Sequence, residues 1–338
     1  MISSAANAFV RWVGPALTVA AVAAGALQAG PVPTDAADIR LVNDGNPLAG
    51  MPFYVDPSSK AMVAAKNSPS PELEAVANTP QAYWLDQAFP AGSVGTTVSR
   101  YAGAAQAAGA MPIFSIYALP NRDCGSYAAG GFGSGDSYRA WIDGIAAGVG
   151  DRPATFIVEP DAIAMAGCLG PEQRDERFAL IRYAVETLTR NPAAAVYIDA
   201  GHPRWLSAED AAAGLQQAGI DRARGFSLNT TNYYTTEESI GYGEAVSGMT
   251  GGAHYVVDTS RNGAGPIDDS PMNWCNPAGR ALGTPPTTAT AGPHADAYLW
   301  IKRVGESDGS CASGQPAAGV FVNQYAIDLA RNAGQQGS

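Results

Sequence analysis

Histidine and lysine are almost missing from this chain. His202, His254 and His294 are the only histidines, and Lys60, Lys66 and Lys302 the only lysines, in 338 residues. No HExxH helix or His-rich cluster is present, which argues against a zinc hydrolase. There is no GxSxG nucleophile turn and no GxxxxGK[ST] phosphate loop. Positive charge is scarce as a whole: 20 Lys and Arg face 31 Asp and Glu, for a formal charge of −11. A chain with no basic cluster is a poor ligand for nucleic acid or anionic membrane surfaces. Catalysis, if present, falls to Asp, Glu and Tyr. A hydrophobic content of 46% is too high for disorder and fits a folded domain.

Two further features set the compartment. Trp12–Leu27 is an uncharged, mostly apolar run preceded by Arg11. It is short for a membrane span and fits a secretory leader at residues 1–29, with small residues at Ala24, Ala26 and Ala29 for cleavage. An uncleaved anchor is the alternative. Residues 30–45 read as a Pro/Asp linker, ahead of a domain at 46–335. Four cysteines, Cys124, Cys168, Cys275 and Cys311, include no CxxC pair. In an exported chain an even number suggests two disulfides, with three pairings open; the nearest-neighbour pairing closes loops of moderate length.

Short β-type runs recur at Pro52–Val55, Pro112–Tyr117, Thr155–Val158, Ala195–Ile198, Gly225–Leu228, His254–Val257 and Ala297–Ile301. Between them lie helical candidates at Val98–Gly109, Asp136–Gly148, Pro171–Arg190, Ala208–Gln217, Glu237–Ser247 and Phe321–Asn332. The alternation predicts an α/β fold of βαβ units with a parallel sheet, and the number of units favours a barrel. Each strand is followed by carboxylates, amides or Tyr: Asp56; Asn121 and Asp123; Glu159 and Asp161; Asp199 and His202; Asn229, Asn232 and Tyr233; Asp258 and Arg261; Lys302, Glu306 and Asp308. A single strand-end Asp is most often a turn former or helix cap. A series at corresponding ends predicts one carboxylate-rich pocket on the C-terminal face. Carboxylates without His or metal motifs point to glycoside hydrolysis, with Trp205, Tyr233, Tyr234 and Trp274 available to stack on sugars.

At this level the chain resembles glycoside hydrolase family six, the inverting β-1,4-glucanases. The matching strings run in family order: Tyr117-Ala-Leu-Pro-Asn-Arg-Asp-Cys124, Val158-Glu-Pro-Asp161, Tyr197-Ile-Asp-Ala-Gly-His202, Asn229-Thr-Thr-Asn-Tyr233, Val257-Asp-Thr-Ser-Arg-Asn-Gly263, Asn273-Trp-Cys-Asn276, Trp300-Ile-Lys302 and Gly305-Glu-Ser-Asp-Gly309. The resemblance implies a distorted, incomplete βα barrel of about seven parallel strands, related to the eight-stranded class. It implies Asp161 as general acid, Asp123 as the carboxylate that raises the acid's pKa and relays the water's proton, Asp308 as base or electrostatic stabiliser, and Tyr117 beside the distorted sugar. It implies substrate contacts for Asp199, His202, Trp205, Asn232, Trp274, Lys302 and Glu306, and the disulfides Cys124–Cys168 and Cys275–Cys311. It implies no cofactor and no metal, a cellulose-type β-1,4-glucan as substrate, and a secreted monomer without a nucleic-acid or stable membrane partner. Ala129 departs from the family, which usually carries a serine there to hold the water chain. Short loops after Cys124 and Asn262 favour an open cleft and internal cleavage. A cellobiohydrolase of the same family and a catalytically impaired glucan-binding barrel are the alternatives.

Overall fold

The computed structural model describes residues 45–336. The expected leader, and all but the last residue of the expected linker, lie outside the described residues. The strands are β1 (Tyr83–Leu85), β2 (Ile113–Ile116), β3 (Ala154–Val158), β4 (Ala194–Asp199), β5 (Gly225–Leu228), β6 (His254–Asp258) and β7 (Ala295–Leu299). The α-helices are α1 (Lys60–Asn67), α2 (Pro71–Ala77), α3 (Ala91–Ala107), α4 (Gly135–Val149), α5 (Pro171–Leu188), α6 (Ala208–Ala218), α7 (Thr236–Met249) and α8 (Asn323–Gln336). The seven strands form one sheet in sequence order, each pair parallel. Among the described residues no helix is long and apolar enough to cross a membrane.

The strand sequences explain how the sheet is covered. Alternate residues point to opposite faces. Ile113, Ile157, Tyr197, Val256 and Leu299 turn inward and meet Leu48, Phe53 and Met111 in the barrel interior. Phe114, Ile116, Phe156, Val158, Ile198 and Phe226 turn outward beneath the helices. Both faces are buried, so the strands read as continuous apolar runs. Glycine permits the tightest helix crossing: a Cβ on Gly148 would stand 2.5 Å from Gly95 O, so α3 and α4 touch backbone to backbone. Side-chain oxygens cap several helices. Ser134 caps α4, Ser207 caps α6, and Thr235 with Glu238 forms a reciprocal capping box on α7.

The sheet curls until its edges approach. Ala82 N donates to Trp300 O at 3.0 Å and the Trp84 indole donates to Ile301 O at 2.8 Å. No ladder joins β1 to β7, so the barrel is incomplete. The expected strand at Pro52–Val55 is reduced to a single bridge, Phe53 with Met111. Pro52 has no amide hydrogen to extend the pairing. The first strand of the sheet is Tyr83–Leu85 instead, three residues too short to stand out by pattern. At the floor of the barrel, the register shift between β6 and β7 leaves Asp296 without a strand partner. Its carboxylate is enclosed by Tyr197 Oη (2.7 Å), Arg224 Nε (2.8 Å) and His254 Nδ1 (3.0 Å).

Candidate active site

Because every strand is parallel, all C-terminal ends open on one side, and the polar clusters meet there. Backbone strain marks the place. The non-glycine residues in the left-handed region are Asn121, Asp123, Cys124, Glu159, Asp161, Asn229, Thr231 and Asn276, all in loops at this mouth. Such conformations are uncommon and are held by their surroundings.

Asp161 sits at the centre, three residues past β3, with φ of 68°. Its amide donates to Asp199 Oδ1 at 2.9 Å. Burial pushes its carboxyl well above the ordinary carboxylate range, and the charges of Asp199, Asp123 and Asp308 push it further; Lys302 opposes them. Asp199 ends β4 and is wholly buried. Its oxygens also accept from Gly201 N (3.1 Å) and Ser227 Oγ (3.0 Å). Burial lifts it to about 6 despite these donors. Asp123 is raised by burial, while the Ala128 amide at 2.7 Å and Arg122 favour its charged form. Tyr117 lies close enough that Asp161 and Asp123 both raise its hydroxyl, after burial itself. Arg122 stacks over the Tyr117 ring at 4.3 Å and donates to Tyr117 O, Ala128 O and Gln87, which fastens the Asp123 loop at its base.

Asp308 has the opposite environment. Arg261 Nη1 reaches its Oδ2 at 2.8 Å and Lys302 Nζ its Oδ1 at 2.9 Å. Asn276 N adds a third donor at 3.0 Å, and Asp308 N donates in return to Asn276 Oδ1. Burial alone would raise its pKa, but the two cations override it and hold Asp308 at about 2. It stays anionic at any working pH and is a weak base. The mouth therefore contains a carboxyl driven toward protonation beside a carboxylate fixed in its charged form.

The remaining expected residues divide. His202 stacks on Tyr234 at 4.3 Å and lies 5.2 Å from Trp205, making one aromatic platform from the loops after β4 and β5. Burial, then Arg204, lowers His202 to about 4, so the ring is neutral at neutral pH. Trp205 is 38% exposed. Asn232 spends its amide on Thr230 O at 3.1 Å. Trp274 meets Tyr127 at 5.8 Å, and a Cβ on Gly309 would stand 2.8 Å from Tyr127 Cβ. The loop after Cys124 thus touches the loops carrying Trp274 and Asp308 at one point. Glu306 stands apart: its carboxylate is paired with Lys60 (2.9 Å) and Arg303 (3.1 Å). Both disulfides, Cys124–Cys168 and Cys275–Cys311, join loops of this face. Among the described residues no group of three or more His, Cys, Asp or Glu is arranged to hold a metal ion.

The part that several contributors play is not visible at the level of sequence. Asp258, fully buried, accepts amides from Thr231, Ser260, Ile301 and Lys302 and so ties three strand ends together. Glu159 is buried under the Asp161 turn and accepts from Ala118 N and Leu119 N. Burial raises it to about 7 against those bonds. Both belong to strings already noted, but their inward direction depends on the strained turns. Arg177, on α5, had one signal available: a charge on the same helical face as Ile181, Ala184 and Leu188.

Comparison with known proteins agrees with this geometry. The model for glycosyl hydrolases family 6 matches residues 48–333, and the chain belongs to that family. It is 45% identical over 285 residues to Endoglucanase A of Cellulomonas fimi, covering 83% of this chain and 61% of that protein's length. It therefore spans about three fifths of that relative. Endoglucanase 1 of Streptomyces halstedii is 42% identical over 310 residues, covering 88% of this chain and 92% of the relative. Among solved structures, the endoglucanase Cel6 from Mycobacterium tuberculosis, in complex with methyl-cellobiosyl-4-deoxy-4-thio-β-D-cellobioside, superposes with a TM-score of 0.85. Its identity is 71%, covering 86% of this chain and all of that one.

Proposed function

We propose that the protein is an inverting endo-β-1,4-glucanase acting on cellulose-type glucans, with Asp161 as the proton donor. The observation that carries this reading is the asymmetry of the two carboxyls at the mouth. Asp161 is held toward its neutral form by burial and by Asp199 and Asp123, while Asp308 is held charged by Arg261 and Lys302. Environments that push two carboxyls apart in pKa assign the acid and the anion. In the proposed step Asp161 gives its proton to the glycosidic oxygen as the bond from that oxygen to C1 breaks. Asp308 stabilises the positive charge that builds on the ring. A water attacks C1 from the opposite face, and its proton passes toward Asp123. Inversion needs room for that water between sugar and base.

Family relatives named endoglucanases, and a cello-oligosaccharide analogue bound in the M. tuberculosis structure, support the glucan substrate. Trp205 and Trp274 would stack on successive sugar rings. Tyr127 against Trp274 and Gly309 is one bridge rather than a roof, which favours cleavage inside the chain. Two disulfides suit an exported, oxidised enzyme. The test follows hydrolysis of a soluble β-glucan by NMR and viscometry together. We expect the α-anomer as the first new reducing end, with viscosity falling before much sugar is released. An initial β-anomer would exclude inversion. Steady cellobiose release at nearly constant viscosity would exclude internal cleavage.

A further inference from the structure

Arg177 lies on α5 beneath the mouth and is only 3% exposed. Its Nη1 donates to Ala162 O at 3.1 Å and its Nη2 to Asn121 O at 2.8 Å. Ala162 directly follows Asp161. Asn121 precedes Asp123 by two residues. One guanidinium thus spans the two loops that carry these carboxyls, and it does so from below, out of reach of any ligand in the cleft. Its Nε finds no hydrogen-bond acceptor, and none of its hydrogen bonds is to a carboxylate.

Burying a cation whose hydrogen bonds go only to carbonyls is expensive, and burial outweighs the support it receives from the charge of nearby Glu159; an apolar side chain of similar volume would be cheaper if stability were the only concern. What the guanidinium supplies is a planar fork that fixes the spacing of two acceptors. The neighbouring ties run between the same two loops. Glu159, at the root of the Asp161 turn, accepts from Ala118 and Leu119 at the root of the Asp123 loop, and Cys124–Cys168 joins their far ends.

We propose that Arg177 is a positioning residue for the reaction, a clamp from α5 that sets the separation of Asp123 and Asp161. This rests on the reading of Asp161 as proton donor. The separation matters twice: it fixes how strongly the charge on Asp123 favours the protonated form of Asp161, and where the attacking water sits between them.

The test compares Arg177→Met, which fills the space without a fork, and Arg177→Lys, which keeps the charge without the fork, with the wild type. Initial rates on a soluble β-glucan are measured from pH 4 to 9, with thermal melts alongside. For Arg177→Met we expect kcat to fall about 10- to 100-fold, the range that displacement of a reacting group by about 1 Å produces, with KM within about twofold of wild type. The alkaline limb of kcat/KM should move to lower pH, because a more distant Asp123 supports the proton on Asp161 less. Arg177→Lys should show the same shift, smaller in extent. A wild-type kcat and alkaline limb in a folded Arg177→Met protein would overturn the proposal. If that variant does not fold, a wild-type profile in Arg177→Lys would overturn it equally. An active Asp161→Asn enzyme would instead remove the reading beneath it, so the two failures are distinguishable.

Discussion

Asp296 at the floor of the barrel and Asp161 at its mouth are both surrounded by protein, with opposite consequences. Asp296 has Arg224, His254 and Tyr197 against its oxygens, and although burial opposes ionisation, Arg224 and His254 hold it below the ordinary carboxylate value. Asp161 has Asp199, Asp123 and Asp308 for company and is driven upward. The floor satisfies its carboxylate with cations. The mouth gathers carboxyls and leaves Asp161 short of them, placing Arg261 and Lys302 on Asp308 instead. The same side chain is held toward its charged form at one end and driven toward its protonated form at the other. Stability alone would favour the first arrangement throughout; the second makes sense where a proton must be delivered.

The comparison can be broken most easily at its extremes. Asp161→Asn should lower turnover of β-glucan about 10³-fold, within the range for removal of a general acid, while still binding cello-oligosaccharides in a calorimetric titration. Near-normal turnover would place Asp161 with Asp296 as a structural residue. Asp296→Ala should do the reverse. It removes the buried carboxylate that Arg224, His254 and Tyr197 share, and we expect a loss of about 3 kcal/mol in denaturant unfolding, with kcat of the surviving folded enzyme near wild type. Retained stability would mean that the floor network contributes little.

A smaller effect sharpens the contrast in its pH dependence. Asp161 has a folded pKa above its unfolded one, as do Glu159 (about 7) and Asp199 (about 6). Their stabilising contribution is complete below the unfolded value near 4 and is lost as pH rises through the folded values. The melting temperature of the wild type should therefore decline from pH 5 to pH 8. Asp161→Asn removes part of that decline and should melt about 2–4 °C higher than wild type at pH 8. Asp296 has a lowered pKa, so its contribution is present above pH 4 and fades only on further acidification. Equal pH dependence of melting in wild type and Asp161→Asn would contradict the raised pKa.

The asymmetry explains which parts of the molecule can be read from the chain. Buried parallel strands such as Phe156–Val158 and Val196–Ile198 are continuous apolar runs ending in acids, so strand, direction and polar end are visible together. Tyr83–Leu85 is half-buried and three residues long, and α1 and α2 are too short for helical periodicity to emerge. A local cue for α2 did exist: Ser70 caps it and Pro71 occupies its first turn. α3 begins at Ala91 rather than Val98; Gly92 and Gly95, poor helix formers, hide its first turns in the sequence, and Gly95 is kept for the close approach of α4, where a Cβ would stand 2.9 Å from Gly144 O.

In the site, Asp161, Asp123, Asp199, Tyr117, Lys302 and Asp308 were legible and meet in one place. Their division into raised and lowered carboxyls was not, because it depends on which acid receives Arg261, a choice made by the fold between segments 47 residues apart. Glu306 shows the converse. It lies two residues from Asp308 in a shared string, yet its carboxylate is taken by Lys60 and Arg303.

The most direct test of Asp161 as proton donor uses leaving groups that differ in their need for a proton. Asp161→Asn and wild type are assayed on a β-glucan and on a dinitrophenyl cello-oligosaccharide, whose phenolate departs without protonation. The account predicts a loss of about 10³-fold on the glucan and a far smaller loss on the dinitrophenyl substrate. Equal losses on both would contradict it, because the residue would then be acting on something other than the departing oxygen.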